Sequence, residues 1–525
     1  MYPFRYFLYL LVIILINIIF SSPVFANNLL INNISLEARN PTNNTAVVEF
    51  DVSFENSWKS KVNHDAIWIM VRLHDAGATP SHKKLCDLTT SGINPSGTSA
   101  GSDAALEIDV PADKKGAFLR QADYGVRPSV ATTNVQLTVD YSSCGFSPSD
   151  NAYATVFGLE MVFIPEGFFY AGDFDGSSAS LDQGSSDADP WYVAGEGAIS
   201  VTNAASNGYR YVSAGQAGED ATGAVFTIPA AFPKGYESFY MMKYELNEGQ
   251  WVEFFNSLPS ASRANRDLTN ASHKNSDLVI KRNTISCSGS PLTCSTSRPY
   301  RPVSYLTWMD LAAFLDWAAL RPMSELEFEK ASRGPVLPIS GEFVWATTGI
   351  TAASAISSGA EDGAESVTTS SANASLNNTT LSGGDTGNGS EYTQGPLRNG
   401  IFATSSSVRE SAGASYYGVM ELSGNLRERV ATIGNASGRS FLAAQGDGVL
   451  SADSGFEGNA TNADWAGIDG VPSRGVTGAA GSGFRGGGWD ESSLRLRISD
   501  RNDAANVSAS AFNNSGGRGV RTHGL

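Results

Sequence analysis

Helical periodicity is confined to one part of the chain, which limits the fold to one with few helices. NEGQWVEFF at 247–255 places its aromatic residues on one side, and TWMDLAAFLDWAAL at 307–320 repeats apolar residues at helical spacing. Ser324 and Glu327 then have the form of a capping box, in which a hydroxyl and a carboxylate three residues later each satisfy a free amide of the first turn. Gly334 ends that helix. These segments, set among strands and loops, predict an α+β protein.

The remaining sequence divides into a strand-rich region and a region with long loops. Residues 29–150 contain TAVVEFDVSFEN, DAIWIMVRLHDA and TTNVQLTVDYS, in which β-branched or aromatic residues nearly alternate with polar ones. Further along, two stretches rich in Gly, Ser, Asp and Ala, near 172–222 and 349–400, have the composition of long surface loops. A chain of 525 residues is also too long for one typical core. We therefore predict an N-terminal β-sandwich domain at 27–157, followed by a second domain at 158–525 with few helices and long loops.

The first residues have the pattern of an export signal. Arg5 precedes an almost unbroken apolar run from Phe7 to Phe20, and the small or branched residues before the end of 1–26 suit a signal peptidase that cleaves after Ala26. A permanent membrane anchor is the alternative, but the run is short for a span and Asn17 interrupts it. No later segment is apolar enough to cross a bilayer. We therefore predict a signal peptide at 1–26 and an exported protein, located in the periplasm, at the cell surface or outside the cell, with no stable membrane span after cleavage.

An exported chain meets an oxidising compartment, where disulfides persist. The chain has four cysteines, Cys86, Cys144, Cys287 and Cys294, for which three pairings are possible. Pairing 86 with 144 and 287 with 294 keeps each bridge inside one predicted domain. A reactive or metal-binding thiol is the alternative, but no histidine or second cysteine pair stands nearby to complete a metal site.

The charge balance excludes one class of partner and favours one class of ligand. The formal charge is −17 and the isoelectric point is near 4.8. Nucleic acid is disfavoured as a partner, because its phosphates need a basic face. Acidic loops in exported proteins often hold calcium, although solvated surface charge explains the same balance.

Several short segments, taken in their order along the chain, resemble one known family. They are MVFIPEGFFYAGD, FYMMKYELNEGQWVEFFN, RPVSYLTWMDLAAFLDWAALRPMSELEFEKASRG, GVMELSGNLRERV, and GFRGGGW followed by GGRGVRT. In this order they are similar to the sulfatase-modifying-factor or formylglycine-generating-enzyme family, over residues 158–525. The resemblance implies a decorated C-type-lectin-like fold with little regular structure. It also implies that the two low-complexity stretches are insertions into this fold.

The same resemblance implies a calcium site at the turn within GVMELSGNLRERV. In the family this turn wraps around the ion, and carrying the pattern over gives Glu421 and Glu428 as carboxylate ligands, with Gly424 and Leu426 contributing backbone carbonyls. Ca²⁺ prefers six to eight oxygen ligands, and a turn can gather carbonyls that a strand would direct apart. The sequence departs from the family at Glu421, where Asp or Asn is common, and at two arginines that replace tryptophans. We predict a structural calcium ion here.

The resemblance does not extend to the family's chemistry. Formylglycine generators have two cysteines just after the Gly-rich strand, and these thiolates hold copper(I). The corresponding segment here, GGGWDESSLRLRISDRND, has no cysteine. Related iron enzymes use clustered histidines, whereas this domain has only His273 and His523. We therefore expect neither copper nor iron and assign no catalytic residue. An oxidoreductase of the family type, acting on exported proteins, is the alternative.

The last forty residues predict a binding surface. LRLRIS at 494–499 alternates apolar and polar residues as a strand does, and the loop after it is dense in Asn, Ser, Asp and Ala. Polar loops with arginine anchors suit a contact surface for an extracellular protein or glycan. The candidate ligand-binding residues are Trp489, Asp490, Glu491, Arg495, Arg497, Arg501, Asn502, Asn513 and Asn514. As an alternative, Arg497 and Arg501 pair with buried carboxylates.

The position of this segment gives one further resemblance. Target proteins of diversity-generating retroelements place a variable, Asn-rich segment at the end of the same lectin-like fold, and this C-terminus resembles such a segment. The function we predict is non-catalytic binding of an extracellular ligand. A structural role in the cell envelope is another alternative.

Overall fold

The computed structural model describes residues 28–75, 77, 82–174, 176–184, 189–273, 280–357, 365–377, 381–383 and 393–524. The predicted signal peptide lies outside the described residues. Within the part of the chain that the structure describes, no helix has the length and apolar character needed to cross a membrane.

Strands dominate the described residues and helices are few, which confirms the predicted α+β class. The α-helices are α1 Glu248–Ser257, α2 Ser260–Ala264, α3 Trp308–Trp317, α4 Glu325–Arg333 and α5 Ala436–Arg439. The strands are β1 Leu30–Asn40, β2 Thr45–Lys59, β3 Asp65–Asp75, β4 Lys84–Leu85, β5 Asp87–Leu88, β6 Gly92–Ile93, β7 Thr98–Ser99, β8 Leu106–Val110, β9 Ala117–Gln121, β10 Gly125–Asp140, β11 Ala152–Ile164, β12 Phe169–Ala171, β13 Asp182–Gln183, β14 Trp191–Val193, β15 Ile199–Val201, β16 Tyr209–Arg210, β17 Phe226–Ile228, β18 Phe239–Met242, β19 Ser286–Ser288, β20 Thr293–Ser295, β21 Arg427–Ala431, β22 Ser482–Arg485, β23 Ser515–Gly516 and β24 Val520–Thr522.

The two helices predicted from periodicity and the one predicted from its capping box all form. Asn247, Thr307 and Ser324 are the N-caps of α1, α3 and α4, and each takes part in a complete capping box. Gly334 follows α4 with a φ of 71°, a conformation that favours glycine.

The N-terminal part is built from two sheets that face each other across an apolar core. One sheet has the order β1-β2-β10-β5, with β7 also on β10, and the other has the order β24-β18-β11-β3-β9-β8-β6, with β4 on β3. Val48 and Phe50 of the first sheet and Ile67 and Ile69 of the second are buried in this core. The Cys86–Cys144 disulfide lies in the same core, as the sequence predicted.

One strand continues from the sandwich into the rest of the chain. β11 pairs with β3 through residues 152–162 and with β18 through residues 161–164, so the predicted boundary after residue 157 falls inside a strand. The second face of β3 is also covered, because Trp68 is fully buried and its indole N–H donates to the carbonyl of Ala318 at 3.0 Å. Near-alternation predicts a strand with one buried face and one exposed face. That prediction is wrong for β3, because both of its faces are packed.

The stretch at 172–222 is also more structured than a surface loop. It contains β13 to β16, and Leu181, Trp191 and Tyr211 are buried in the main core. The sequence did not indicate these strands, because most residues of the stretch are small. Its few large apolar side chains are too far apart to show the spacing of a strand or a helix.

Candidate functional site

The turn at 421–426 has a backbone that few residues can adopt. Glu421, Gly424 and Asn425 have φ values of 55°, 95° and 68°. A Cβ on Gly424 would lie 2.5 Å from the carbonyl oxygen of Ser375, so only glycine fits there. The N–H of Gly424 donates to Gly486 at 2.9 Å, which joins the turn to the Gly-rich segment after β22.

A buried carboxylate that the sequence reasoning missed holds this turn from inside. Glu245, three residues after β18, accepts from the N–H of Leu426 at 2.8 Å and from the side-chain amide of Asn425 at 2.7 Å. Burial raises the pKa of Glu245 well above its ordinary value, and the nearby Glu428 raises it further. No local sequence signal distinguishes Glu245 from other glutamates, because its partners lie about 180 residues away.

Glu428, a predicted calcium ligand, is paired with an arginine. Arg518 donates to both of its carboxylate oxygens at 2.7 Å, and both side chains are fully buried. Burial raises the pKa of Glu428 while Arg518 lowers it. Arg518 also donates to the carbonyl of Met420 at 2.8 Å, so its positive charge lies beside residues that flank the turn on both sides.

Glu421 has one oxygen available. Its Oε1 accepts from the N–H of Gly400 at 2.7 Å, whereas its buried Oε2 has no hydrogen-bond partner among the described residues. Burial raises the pKa of Glu421 to about 7. A neutral or cation-bound state therefore suits this carboxyl group.

The four predicted ligands fit calcium poorly as they stand. Arg518 already neutralises the carboxylate of Glu428, and one oxygen of Glu421 accepts from the N–H of Gly400. In the described part of the chain, no three His, Cys, Asp or Glu side chains converge as a metal site. Calcium binding here stays a prediction.

In the C-terminal segment, the structure places three of the predicted ligand-binding residues in the interior. Arg501 is fully buried and donates to both oxygens of Glu325, at 2.7 and 3.1 Å. Trp489 is buried and its indole N–H donates to the carbonyl of Asn513 at 3.1 Å. Asn514 is buried and donates to Asp490 at 2.9 Å.

Arg497, in contrast, is half-buried. It donates to the carbonyl of Gly176, so it contacts the stretch at 172–222.

The strand predicted for 494–499 is wrong. Ser493–Leu496 forms a 3-10 helix. This helix packs against the Gly-rich turn so closely that a Cβ on Gly487 would lie 2.5 Å from Leu496 Cδ1. Leu496 and Ile498 are buried although neither lies in a strand. Close packing against the Gly-rich turn holds this segment in place of strand pairing.

Of the remaining predicted residues, Glu491 and Arg495 line a shallow recess. Asp490 is exposed, and Asn502 and Asn513 are half-buried. We call the recess the C-terminal recess, and the residues used to define it are Arg427, Phe484, Glu491, Arg495, Asp500 and Asp503. The structure thus brings Glu491 and Arg495 together with residues that sequence reasoning missed.

The C-terminal recess combines aromatic and charged groups. The Arg427 guanidinium stacks on the rings of Phe484 and Phe512, at 4.2 and 4.6 Å from their centroids, and lies 3.9 Å from Glu491. Nε of Arg427 and Oδ2 of Asp500 are buried and have no hydrogen-bond partner among the described residues. Buried polar atoms normally find partners, so these two atoms suggest that a ligand or water completes the recess.

The cysteines supply no thiol to any site. Cys86 pairs with Cys144, and Cys287 pairs with Cys294 across β19 and β20. The pairing that keeps each bridge local is therefore confirmed, and all four cysteines of the chain are used.

Comparison with known proteins identifies the family. The family model of the sulfatase-modifying factor enzyme 1-like domain matches residues 154–523, well over half of the chain. The protein belongs to this family, which confirms the resemblance drawn from the ordered segments. No curated protein matches the chain.

Proposed function

We propose that this protein is an exported, non-catalytic member of the family, which binds an extracellular protein or glycan through the C-terminal recess. The observation that carries the proposal is the state of the cysteines. Copper(I) in the family mechanism needs two thiolates, and both disulfides remove every thiol of this chain. Disulfides also suit the oxidising compartment that an exported protein meets.

The polar groups of the recess support ligand binding. Arg495 has a side chain that is 34% exposed and lies 3.7 Å from Asp500, so neither group is fully engaged. These carboxylate and guanidinium groups are held in place but still have unused hydrogen-bonding capacity. Such groups favour charge-assisted hydrogen bonds to a ligand. Hydroxyl-rich glycans and polar peptide segments offer both the donors and the acceptors that such groups require.

A binding screen with matched arginine variants tests the proposal. The purified protein is screened against arrayed glycans and extracellular protein fragments, and any hit is titrated with wild type, Arg495→Ala and Arg474→Ala. Arg474 is a matched control, because its side chain is 41% exposed beside Asp453 and Asp469, in a different loop. We expect Arg495→Ala to weaken binding by about 1 kcal/mol or more and Arg474→Ala to leave it unchanged.

Elemental mass spectrometry of the same preparation addresses the metal content. Calcium at protein stoichiometry that is lost in Glu421→Gln would support the predicted calcium site. Stoichiometric copper or iron, together with oxidation of a substrate peptide, would overturn the non-catalytic proposal. Equal binding by the wild type and both arginine variants would show that the recess is not the binding surface.

A further inference from the structure

Three charged side chains meet on one face of the sheet where the sandwich joins the rest of the chain. Asp65 begins β3, Glu160 lies on β11, and Lys243 directly follows β18. Val162 is the partner of Asp65 across β3 and β11, and Glu160 is two residues earlier, so both carboxylates lie on the same face. The N–H of Lys243 donates to the carbonyl of Glu160 at 2.9 Å, which places Lys243 beside it on the next strand.

The lysine lies between the two carboxylates in a buried, partly aromatic environment. Lys243 Nζ is 3.9 Å from Asp65 Oδ2 and 3.9 Å from Glu160 Oε1, and the three side chains are 8%, 5% and 13% exposed. The ammonium also lies 5.0 Å from the ring of Trp58 and 5.5 Å from that of Tyr244. Burial raises the pKa of Asp65, and it raises the pKa of Glu160 to about 7. Because burial removes the hydration of the two carboxyl groups, their protonated forms become accessible.

The two oxygens of Asp65 have different surroundings. Oδ1 accepts from the backbone N–H of Trp58 at 2.9 Å and from the hydroxyl of Ser57 at 2.8 Å, and Gln121 donates to that hydroxyl at 2.9 Å. Oδ2 instead faces Lys243. Two donors fixed on one oxygen of a carboxyl group are the arrangement that stabilises an oxyanion during acyl transfer.

We propose that Lys243 and Asp65 condense into an intramolecular isopeptide bond, with Glu160 as the residue that transfers the proton. The Nζ ammonium first gives a proton to the Asp65 carboxylate, and the resulting amine then attacks Cγ of the protonated Asp65, while Oδ1 takes up the negative charge against the donors from Trp58 and Ser57. Glu160 accepts a proton from the nitrogen and passes it to Oδ2, which leaves as water. One C–N bond forms, one C–O bond breaks, and no oxidant, reductant or cofactor takes part.

The bond would fix the two parts of the molecule to each other. It joins the first residue of β3, in the sandwich, to the residue that follows β18, in the region matched by the family. A covalent link between distant positions restricts the unfolded chain, as a disulfide does, but reduction does not break it.

Intact mass spectrometry of the purified full chain tests this directly. After reduction of both disulfides, the wild type should weigh less than its mature sequence by the mass of one water. A digest should contain a peptide pair joined through Lys243 and Asp65. A wild-type protein with the full sequence mass and no joined peptides would overturn the proposal, whatever the variants do.

Four variants assign the roles, each checked for folding by circular dichroism. Lys243→Arg and Glu160→Gln should have the full sequence mass, because the first lacks the nucleophile and the second cannot accept the proton. Asp65→Asn should lose ammonia instead of water and give the same amide. Glu253→Gln is the matched control, since Glu253 lines the cavity beside Glu160 but does not contact Lys243, and it should still lose one water. A folded Glu160→Gln protein that loses water at the wild-type level would refute the role of Glu160.

Discussion

Replacing Arg501 with methionine tests whether this side chain holds the fold together or contacts a ligand. Its buried guanidinium donates to both oxygens of Glu325 at 2.7 and 3.1 Å, and to the carbonyls of Ala179 and Val212 at 3.2 Å each. Removing one partner of a buried ion pair costs about 3–5 kcal/mol, because the other charge stays buried without compensation.

We expect a loss near the lower end of that range, because Glu325 keeps other partners. Arg485 stays 3.2 Å from its Oε2, and Oε1 still accepts from the hydroxyl of Thr432 at 3.0 Å and the N–H of Ile433 at 2.7 Å. Arg501→Met should therefore lower the free energy of unfolding by about 3 kcal/mol at neutral pH.

The loss should become smaller in acid. Burial would raise the pKa of Glu325, but Arg501 and Arg485 outweigh it and hold that pKa below its ordinary value. A carboxyl group with a lowered pKa stabilises the folded state above its unfolded pKa, and this contribution is lost as the pH falls through the folded value. The variant lacks most of this contribution, so the two proteins should converge in stability below about pH 4.

Urea unfolding followed by tryptophan fluorescence, near neutral pH and in acid, measures both effects. Arg495→Met is the matched control, because the Arg495 side chain is 34% exposed and its carboxylate contact is long, at 3.7 Å. It should change the free energy of unfolding by no more than about 0.5–1 kcal/mol. If Arg501→Met keeps wild-type stability but loses ligand binding, the reasoning from the buried ion pair is refuted, and Arg501 belongs to the binding surface.

Three further predictions follow from burial and cross-linking. Replacing Cys86 and Cys144 together with serine should lower the free energy of unfolding by about 4 kcal/mol, because the bridge closes a sequence separation of 58 residues; urea unfolding of the double variant against wild type checks this. Trp68→Ala should cost about 3–5 kcal/mol, whereas Val126→Ala, whose side chain is 74% exposed, should cost less than about 0.5 kcal/mol, and equal losses would contradict the two-sided packing of β3. Burial lowers the pKa of His64 to about 3, so stability should fall as the pH drops from about 6.5 towards 3, and His64→Gln should reduce that slope in thermal melts across this range.

Local signals in the sequence predicted the helices and their ends well. Asn247, Thr307 and Ser324 each cap the helix that follows them, because capping depends on residues three positions apart and needs no distant partner. The ordered segments likewise gave the family, whose model matches residues 154–523.

The site was harder to predict because its partners are distant along the chain. Arg501 has the same local context whether it is exposed or paired with Glu325, and those residues are separated by 176 positions. The same holds for Arg518, which binds Glu428 from 90 residues away. Sequence patterns report which residues could form such pairs, but only the fold decides which pairs form.

The shared sheet sets an order for building the protein during synthesis. β3 and β11 can pair once the chain has reached residue 164, but β18 and β24 complete their side of the sheet much later, the last of them at Val520–Thr522. In the finished protein, α3 and Ala318 pack over Trp68 on the second face of β3. Until these residues have been synthesised, that part of the face stays uncovered. A half-made chain therefore carries an apolar sheet face, which is a target for chaperones and a risk for aggregation until the final strands arrive.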